Sequence, residues 1–211
     1  KDKKTRPKIL LVGGSGIIGK AVREAFKQEA NLIIAGRSES NDVQVDLSDS
    51  KSIEAMFKKV GPVDHVLSAT GKAYFGSLTK ATPEEFHAQN KLTGQINLVL
   101  IGMKHVNEGG SFTLVSGYLS RIPMPLCAGL AMVNGGINAF VKSAAIEMPK
   151  SQRINVVSPG LVQESVKTYG PFFRGFGGTP AVKVAQAYVR SVHGGITGQV
   201  IEVLDPYSPS C

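Results

Sequence analysis

The sequence has no tryptophan and only two cysteines, Cys127 and Cys211. Two thiols cannot build a disulfide framework, so a reducing compartment, and with it a cytoplasmic location, is expected. No apolar run approaches the roughly 18 residues that a membrane-spanning helix needs, so no membrane partner is expected. The basic first residues lead straight into an apolar strand, which is not the pattern of a secretory leader. His65, His87, His105 and His193 lie far apart, without carboxylate or cysteine partners at ligand spacing, and no metal is expected. The formal net charge is +8, yet residues 1–8 carry five cations against one acid and hold half of the excess. Arginine-rich helices and basic stretches interleaved with aromatics are lacking, so nucleic-acid binding is not expected either.

What remains is a chain of 211 residues, long enough for one well-buried core and short for two. A basic tail over 1–7 and a single domain over 8–211 are expected. The domain opens on Ile9-Leu10-Leu11-Val12, breaks into Gly13-Gly14-Ser15-Gly16-Ile17-Ile18-Gly19, and continues as an amphipathic run from Lys20 to Gln28. An apolar run, a glycine turn and a helical period read as strand, tight turn and helix, the start of a βαβ unit. Glycines let the backbone turn sharply beside a pyrophosphate, and the helix-start N–H groups and dipole favour its negative charge. Gly13, Ser15, Gly16, Ile17 and Ile18 are therefore the expected phosphate contacts.

Asn31 to Ser38 reads as a second strand ending in Gly36-Arg37-Ser38. An acid at this point would suit a free ribose 2′-hydroxyl, whereas Arg37 and Ser38 suit a 2′-phosphate, so NADP rather than NAD is expected. A short third strand, Val43 to Val45, precedes a helix over Ser50–Val60. Val63 to Ser68 forms the fourth strand, a long helix is expected from Thr82 to about His105, and Ser111 to Ser116 is the fifth strand. A helix over Ala128–Glu147, a strand over Arg153–Val157, a helix over Pro180–Val192 and a last strand from Gln199 to Leu204 follow. This alternation predicts an α/β fold, a doubly wound parallel sheet of about seven strands with helices on both faces and ligands at the carboxyl ends of the strands. The glycine- and aromatic-rich segment 161–178 is expected to form a short mobile substrate cover.

The ordered set of motifs resembles the short-chain dehydrogenase/reductase family over residues 8–205. It comprises Gly13-x-x-Gly16-x-x-Gly19, Gly36-Arg37-Ser38, Asp46-Leu47, Ala69-Thr70-Gly71, Val115-Ser116, Ala144-Ala145-Ile146-Glu147, Arg153 to Gly160 and Ile196 to Ile201. The resemblance implies a Rossmann-like sheet, a dinucleotide across the strand ends, and a homo-oligomer built on the two long helices. It assigns Asp46 and Leu47 to the adenine, Ala69, Thr70 and Gly71 to the adenine ribose region, and Pro159, Gly160 and Val162 to the nicotinamide side.

The resemblance also implies a serine with a Tyr-x-x-x-Lys pair, in which the tyrosine moves the proton and the lysine lowers its pKa and holds the nicotinamide ribose. No Tyr-x-x-x-Lys occurs in this chain. By register with Ala145-Ile146-Glu147, the tyrosine position falls on Leu130 and the lysine position on Asn134. Leucine cannot move a proton, and asparagine can hold a ribose hydroxyl without tuning a phenol. The family asparagine falls on Asn90 or Lys91, which point about 100° apart on a helix, so both cannot face the site. Ser116 keeps the serine position. Three readings stand open: an oxidoreductase on a small-molecule substrate in which Ser116 polarises the carbonyl and Lys91, Tyr118 or water supplies the proton; a non-redox cyclase or isomerase, with Arg121 as a substrate contact; and an NADP-binding sensor without turnover.

Overall fold

The computed structural model describes residues 6–205. Most of the basic tail and Cys211 fall outside the described residues. Seven parallel strands form one sheet: β1 (Lys8–Val12), β2 (Asn31–Gly36), β3 (Val43–Gln44), β4 (Val63–Ser68), β5 (Val106–Val115), β6 (Arg153–Pro159) and β7 (Val200–Val203). Their order is β3-β2-β1-β4-β5-β6-β7, so the direction of winding reverses between β1 and β4. A crevice at such a reversal, outside the carboxyl ends of the strands, is where open α/β sheets bind ligands. The register pairs Val12 with Ala35 on one side and with Ser68 on the other, which brings Gly13 and Ala69 to the same edge.

The central strand β1 reads as a continuous apolar run, Ile9 to Val12, because both sheet faces are covered. Ile9 and Leu11 pack against α1 (Ile17–Phe26) and α7 (Ala181–His193), with Phe26 and Tyr188 fully buried between them. Leu10 and Val12 face α2 (Ser50–Val60), α4 (Asn90–Gly102) and α5 (Ala128–Glu147), with Phe57, Phe112 and Ile137 filling that layer. No helix among the described residues is long and apolar enough to cross a membrane.

Two expected elements are corrected. The long helix from Thr82 to His105 is two: α3 (Pro83–His87) begins on a Thr82–Glu85 capping box, and α4 starts afresh at Asn90. The break sits at Gln89, whose side chain accepts from Tyr74 N at 3.0 Å and donates to Phe86 O at 2.9 Å. The chain after β4 thus holds the junction open. The fifth strand starts at Val106 rather than Ser111, passing through Gly109 and Gly110, which a sequence reading takes for a breaker. Gly109 adopts φ +71° and donates to Lys150 O, and a Cβ on Gly110 would overlap the Asp64 carbonyl. These glycines permit close backbone approach within the sheet and do not end the strand.

Segment 161–178 contains one-turn 3-10 helices at Gln163–Ser165 and Gly170–Phe172 on either side of α6 (Val166–Tyr169). A Val162–Thr179 bridge pins its base, and the Glu164 carboxylate accepts from Ala181 N at the start of α7. Phe75, from the loop after β4, meets Tyr169 and Phe172 edge to face at 6.1 and 5.5 Å.

Candidate active site

The first turn after β1 is shaped by steric exclusion. Gly13 adopts φ +90°, and a Cβ on it would lie 2.6 Å from Thr70 Cβ. A Cβ on Gly19 would overlap the Gly13 carbonyl, so the helix can pack this closely on the turn only without a side chain. Gly16 is different: the space above it is open. It is the N-cap of α1, and no side chain among the described residues caps it, which leaves the helix-start N–H groups available to an anion.

Beside this turn lies a cavity of about 460 Å³, lined by Gly13, Ser15, Arg37, Ser38, Asp46, Leu47, Thr70, Gly71, Lys72 and Asn90. The Arg37 side chain is exposed and makes no ion pair among the described residues. Asp46 accepts from the Ser48 hydroxyl at 2.6 Å and from Ser48 N at 2.9 Å, and these bonds hold its carboxyl below the usual range. It therefore stays an ionised acceptor at the rim. Gly16 and Ile17 do not line this cavity and sit at the start of α1.

A second cavity, of about 500 Å³, continues from Thr70, Gly71 and Lys72 over the ends of β4, β5 and β6. Ile18, Ala69, Lys91, Ser116, Tyr118, Leu130, Asn134, Pro159, Gly160 and Val162 line it, and Phe75, Leu161, Tyr169 and Phe173 give it an apolar wall. The two cavities form one groove. The expected Ser15, Arg37 and Ser38 lie at one end of it, and Ser116, Lys91, Tyr118 and Asn134 at the other.

Asn90 and Lys91 divide as the helical turn requires. Asn90 Oδ1 accepts from Lys72 N at 2.9 Å, beside the first cavity. Lys91 Nζ enters the second, donating to Ser116 O at 2.9 Å and to Asn134 Oδ1 at 2.8 Å. Desolvation pushes this ammonium down to about 8. Gly71, at φ +129°, allows the approach, because a Cβ on it would lie 2.7 Å from Lys91 Cα. One turn along α4, the fully buried Gln95 donates to Lys91 O and Val115 O and accepts from Val115 N, each at 2.9 Å. This clamp fixes α4 on the end of β5. It escaped the sequence reading; a glutamine between Gly94 and Ile96, three residues before the apolar Leu98-Val99, was the signal available.

Ser116 is 3% exposed and Tyr118 5%, and neither hydroxyl has a hydrogen-bond partner among the described residues. Burial, with the neighbouring Cys127 adding to it, pushes the Tyr118 phenol up to about 12. Unpaired buried hydroxyls are costly and point to a ligand that completes them. Leu130 occupies the wall where the resemblance implies a tyrosine. Arg121, expected as a possible substrate contact, instead reaches Glu202 at 2.5 Å. Among the described residues no three His, Cys, Asp or Glu side chains gather as a metal site.

A family model described as enoyl-(acyl carrier protein) reductase matches residues 13–177, most of the chain. The chain belongs to the short-chain dehydrogenase/reductase family. An uncharacterised oxidoreductase of Methylorubrum extorquens is 26% identical over 187 residues, covering 76% of this chain and 75% of its own. A trihydroxynaphthalene reductase of Colletotrichum orbiculare is 28% identical over 145 residues, 65% of this chain and 51% of its own. A Listeria innocua protein of known crystal structure is 48% identical, with TM-score 0.91, covering 93% of this chain and 99% of that one. A small-chain dehydrogenase solved in complex with NADPH is 26% identical, with TM-score 0.83, covering 94% of this chain and 96% of that one. Leu130 and Asn134, where the resemblance implies the family's tyrosine and lysine, both line the second cavity.

Proposed function

We propose that this dehydrogenase/reductase is an NADP(H)-dependent oxidoreductase interconverting a small apolar carbonyl compound and its alcohol. The observation that carries the reading is the continuous groove, with the exposed Arg37 beside Ser38 at one end and two unpaired hydroxyls and a desolvated lysine at the other. Arg37 and Ser38 suit the 2′-phosphate, the bare start of α1 the pyrophosphate, and Pro159 to Val162 the nicotinamide side. NADPH, when bound, supplies the hydride equivalent. The NADPH complex of the small-chain dehydrogenase and the name of the naphthol reductase support this assignment.

The chain's own residues orient the substrate and handle the proton. The Ser116 hydroxyl is suited to donate to a carbonyl oxygen, and the wall of Phe75, Leu130, Tyr169 and Phe173 favours an apolar substrate body. Segment 161–178 acts as the cover that excludes water. Exposed Leu100 on α4 and Met132 on α5 suit association of copies through these two helices, which sedimentation would read as a dimer or tetramer. The direct test is NADPH absorbance followed over a panel of aromatic and aliphatic ketones. Substrate-dependent loss of absorbance supports the reading, and binding of NADPH without turnover of any member contradicts it. One observation favours a second reading, an NADP-binding sensor: Leu130 leaves α5 without a proton-transfer group at the substrate wall.

A further inference from the structure

The resemblance implies an asparagine on α4 and a lysine on α5. Here the pair is reversed, Lys91 on α4 and Asn134 on α5, and the two side chains touch at 2.8 Å. The cation has therefore changed helix while remaining at the junction of α4, α5 and the end of β5. Its ammonium has three N–H bonds; two go to Ser116 O and Asn134 Oδ1, leaving one for an occupant of the cavity that Lys91 lines.

Resting on the oxidoreductase reading above, we propose that Lys91 is itself the proton donor and acceptor of the reaction, taking the place of the missing tyrosine. In reduction, the carbonyl carbon gains the hydride, the carbonyl π pair moves onto oxygen, and that oxygen takes a proton from Lys91 Nζ. The neutral amine then recovers a proton from water, and oxidation runs the same transfers in reverse. Catalytic proton transfer is most efficient when the group titrates near working pH, and the desolvated Lys91, at about 8, meets that condition. Tyr118 does not, because burial makes its phenol the weaker acid. The groups facing Lys91 do not oppose this role. The end of β5 presents neutral Ser116 and Tyr118, α5 presents Leu130 and Asn134, the loop after β4 presents exposed Lys72, and the cover presents Ser165 and Tyr169. No carboxylate lines the cavity among the described residues, so nothing there restores the lysine to its ordinary value.

A substrate-independent test is reductive alkylation of the free protein with benzaldehyde and cyanoborohydride, read by peptide mass mapping. A neutral amine condenses with the aldehyde, loses water, and is trapped as the benzylamine. At about pH 8, Lys91 should label on the order of 100-fold faster than exposed lysines, whose amines are almost wholly protonated there. Labelling of Lys91 should level off above this pH, and the site should vanish from the Lys91→Met protein. Lys91→Arg keeps the charge without titrating in this range, so it should retain NADPH binding by calorimetry while losing turnover and the alkaline limb of the pH profile. Labelling of Lys91 no faster than that of surface lysines overturns the proposal, as does full turnover in Lys91→Arg. Calorimetry separates the two readings: absence of NADPH binding refutes the oxidoreductase assignment, whereas binding with an unlabelled Lys91 refutes the proton donor alone.

Discussion

The desolvation of Lys91 has a consequence for stability that needs no substrate. An amine whose folded-state pKa is lowered binds fewer protons folded than unfolded over the interval between the two values. Stability then rises with pH across that interval. For Lys91 the interval runs from about 8 to the ordinary value of 10.5. Below it, the native state bears the full cost of an ammonium held away from water. Between about pH 7 and about pH 10 the linkage integral gives roughly 2.5 kcal/mol of recovered stability, an upper figure because the residue keeps some exposure at the cavity wall. The comparison to make is urea unfolding of the wild-type protein and of Lys91→Met at several pH values in this range. Other titrating groups cancel in the difference. The wild-type protein should gain about 2 kcal/mol on the variant between the two pH values, or several degrees in melting temperature for a domain of this size. A difference that stays flat, or one in which the wild-type protein loses ground as pH rises, would show that the ammonium is solvated and refute the reasoning.

Other perturbations act on separate parts of the groove. Arg37→Ala removes the exposed guanidinium beside Ser38 and should weaken NADP binding by about 10- to 100-fold, the worth of a charge-assisted contact, while leaving NAD binding nearly unchanged by calorimetry. Gly19→Ala places a methyl on the Gly13 carbonyl; a loss of at least about 1–3 kcal/mol in urea unfolding is expected, with dinucleotide binding falling alongside it. Ser116→Ala should fold normally, since its hydroxyl has no partner to lose among the described residues, and should lower kcat by about 10- to 1000-fold with little change in NADPH affinity.

The fold was readable in the sequence because its signals are local. Ile9 to Val12 is buried on both faces and appears as an unbroken apolar run, Val66-Leu67 and Val156-Val157 mark the buried centres of two further strands, and Gly13 and Gly71 mark turns that a side chain would block. The misread elements depend on distant partners. The break before Asn90 exists because Gln89 binds the backbone of Tyr74, and the early start of β5 exists because Gly109 donates to Lys150. Arg121 looked available to a substrate until the fold brought Glu202, 81 residues away, beside it. At the site, sequence reasoning stopped at the choice between Asn90 and Lys91. The difference is one residue of helix phase, and it was decided by the close pass of Gly71 and the clamp of Gln95 on β5. That no Tyr-x-x-x-Lys occurs can, in contrast, be read from the sequence itself.

The central claim is that this groove seats NADP(H) for redox chemistry. Calorimetric titration of the purified protein with NADPH and NADH, on matched samples, tests it most directly. The account predicts a single site per chain that prefers NADPH by at least about tenfold, as a 2′-phosphate held by Arg37 requires. Equal affinity for the two would contradict the role of Arg37 and Ser38, and binding of neither would contradict the assignment of the groove itself.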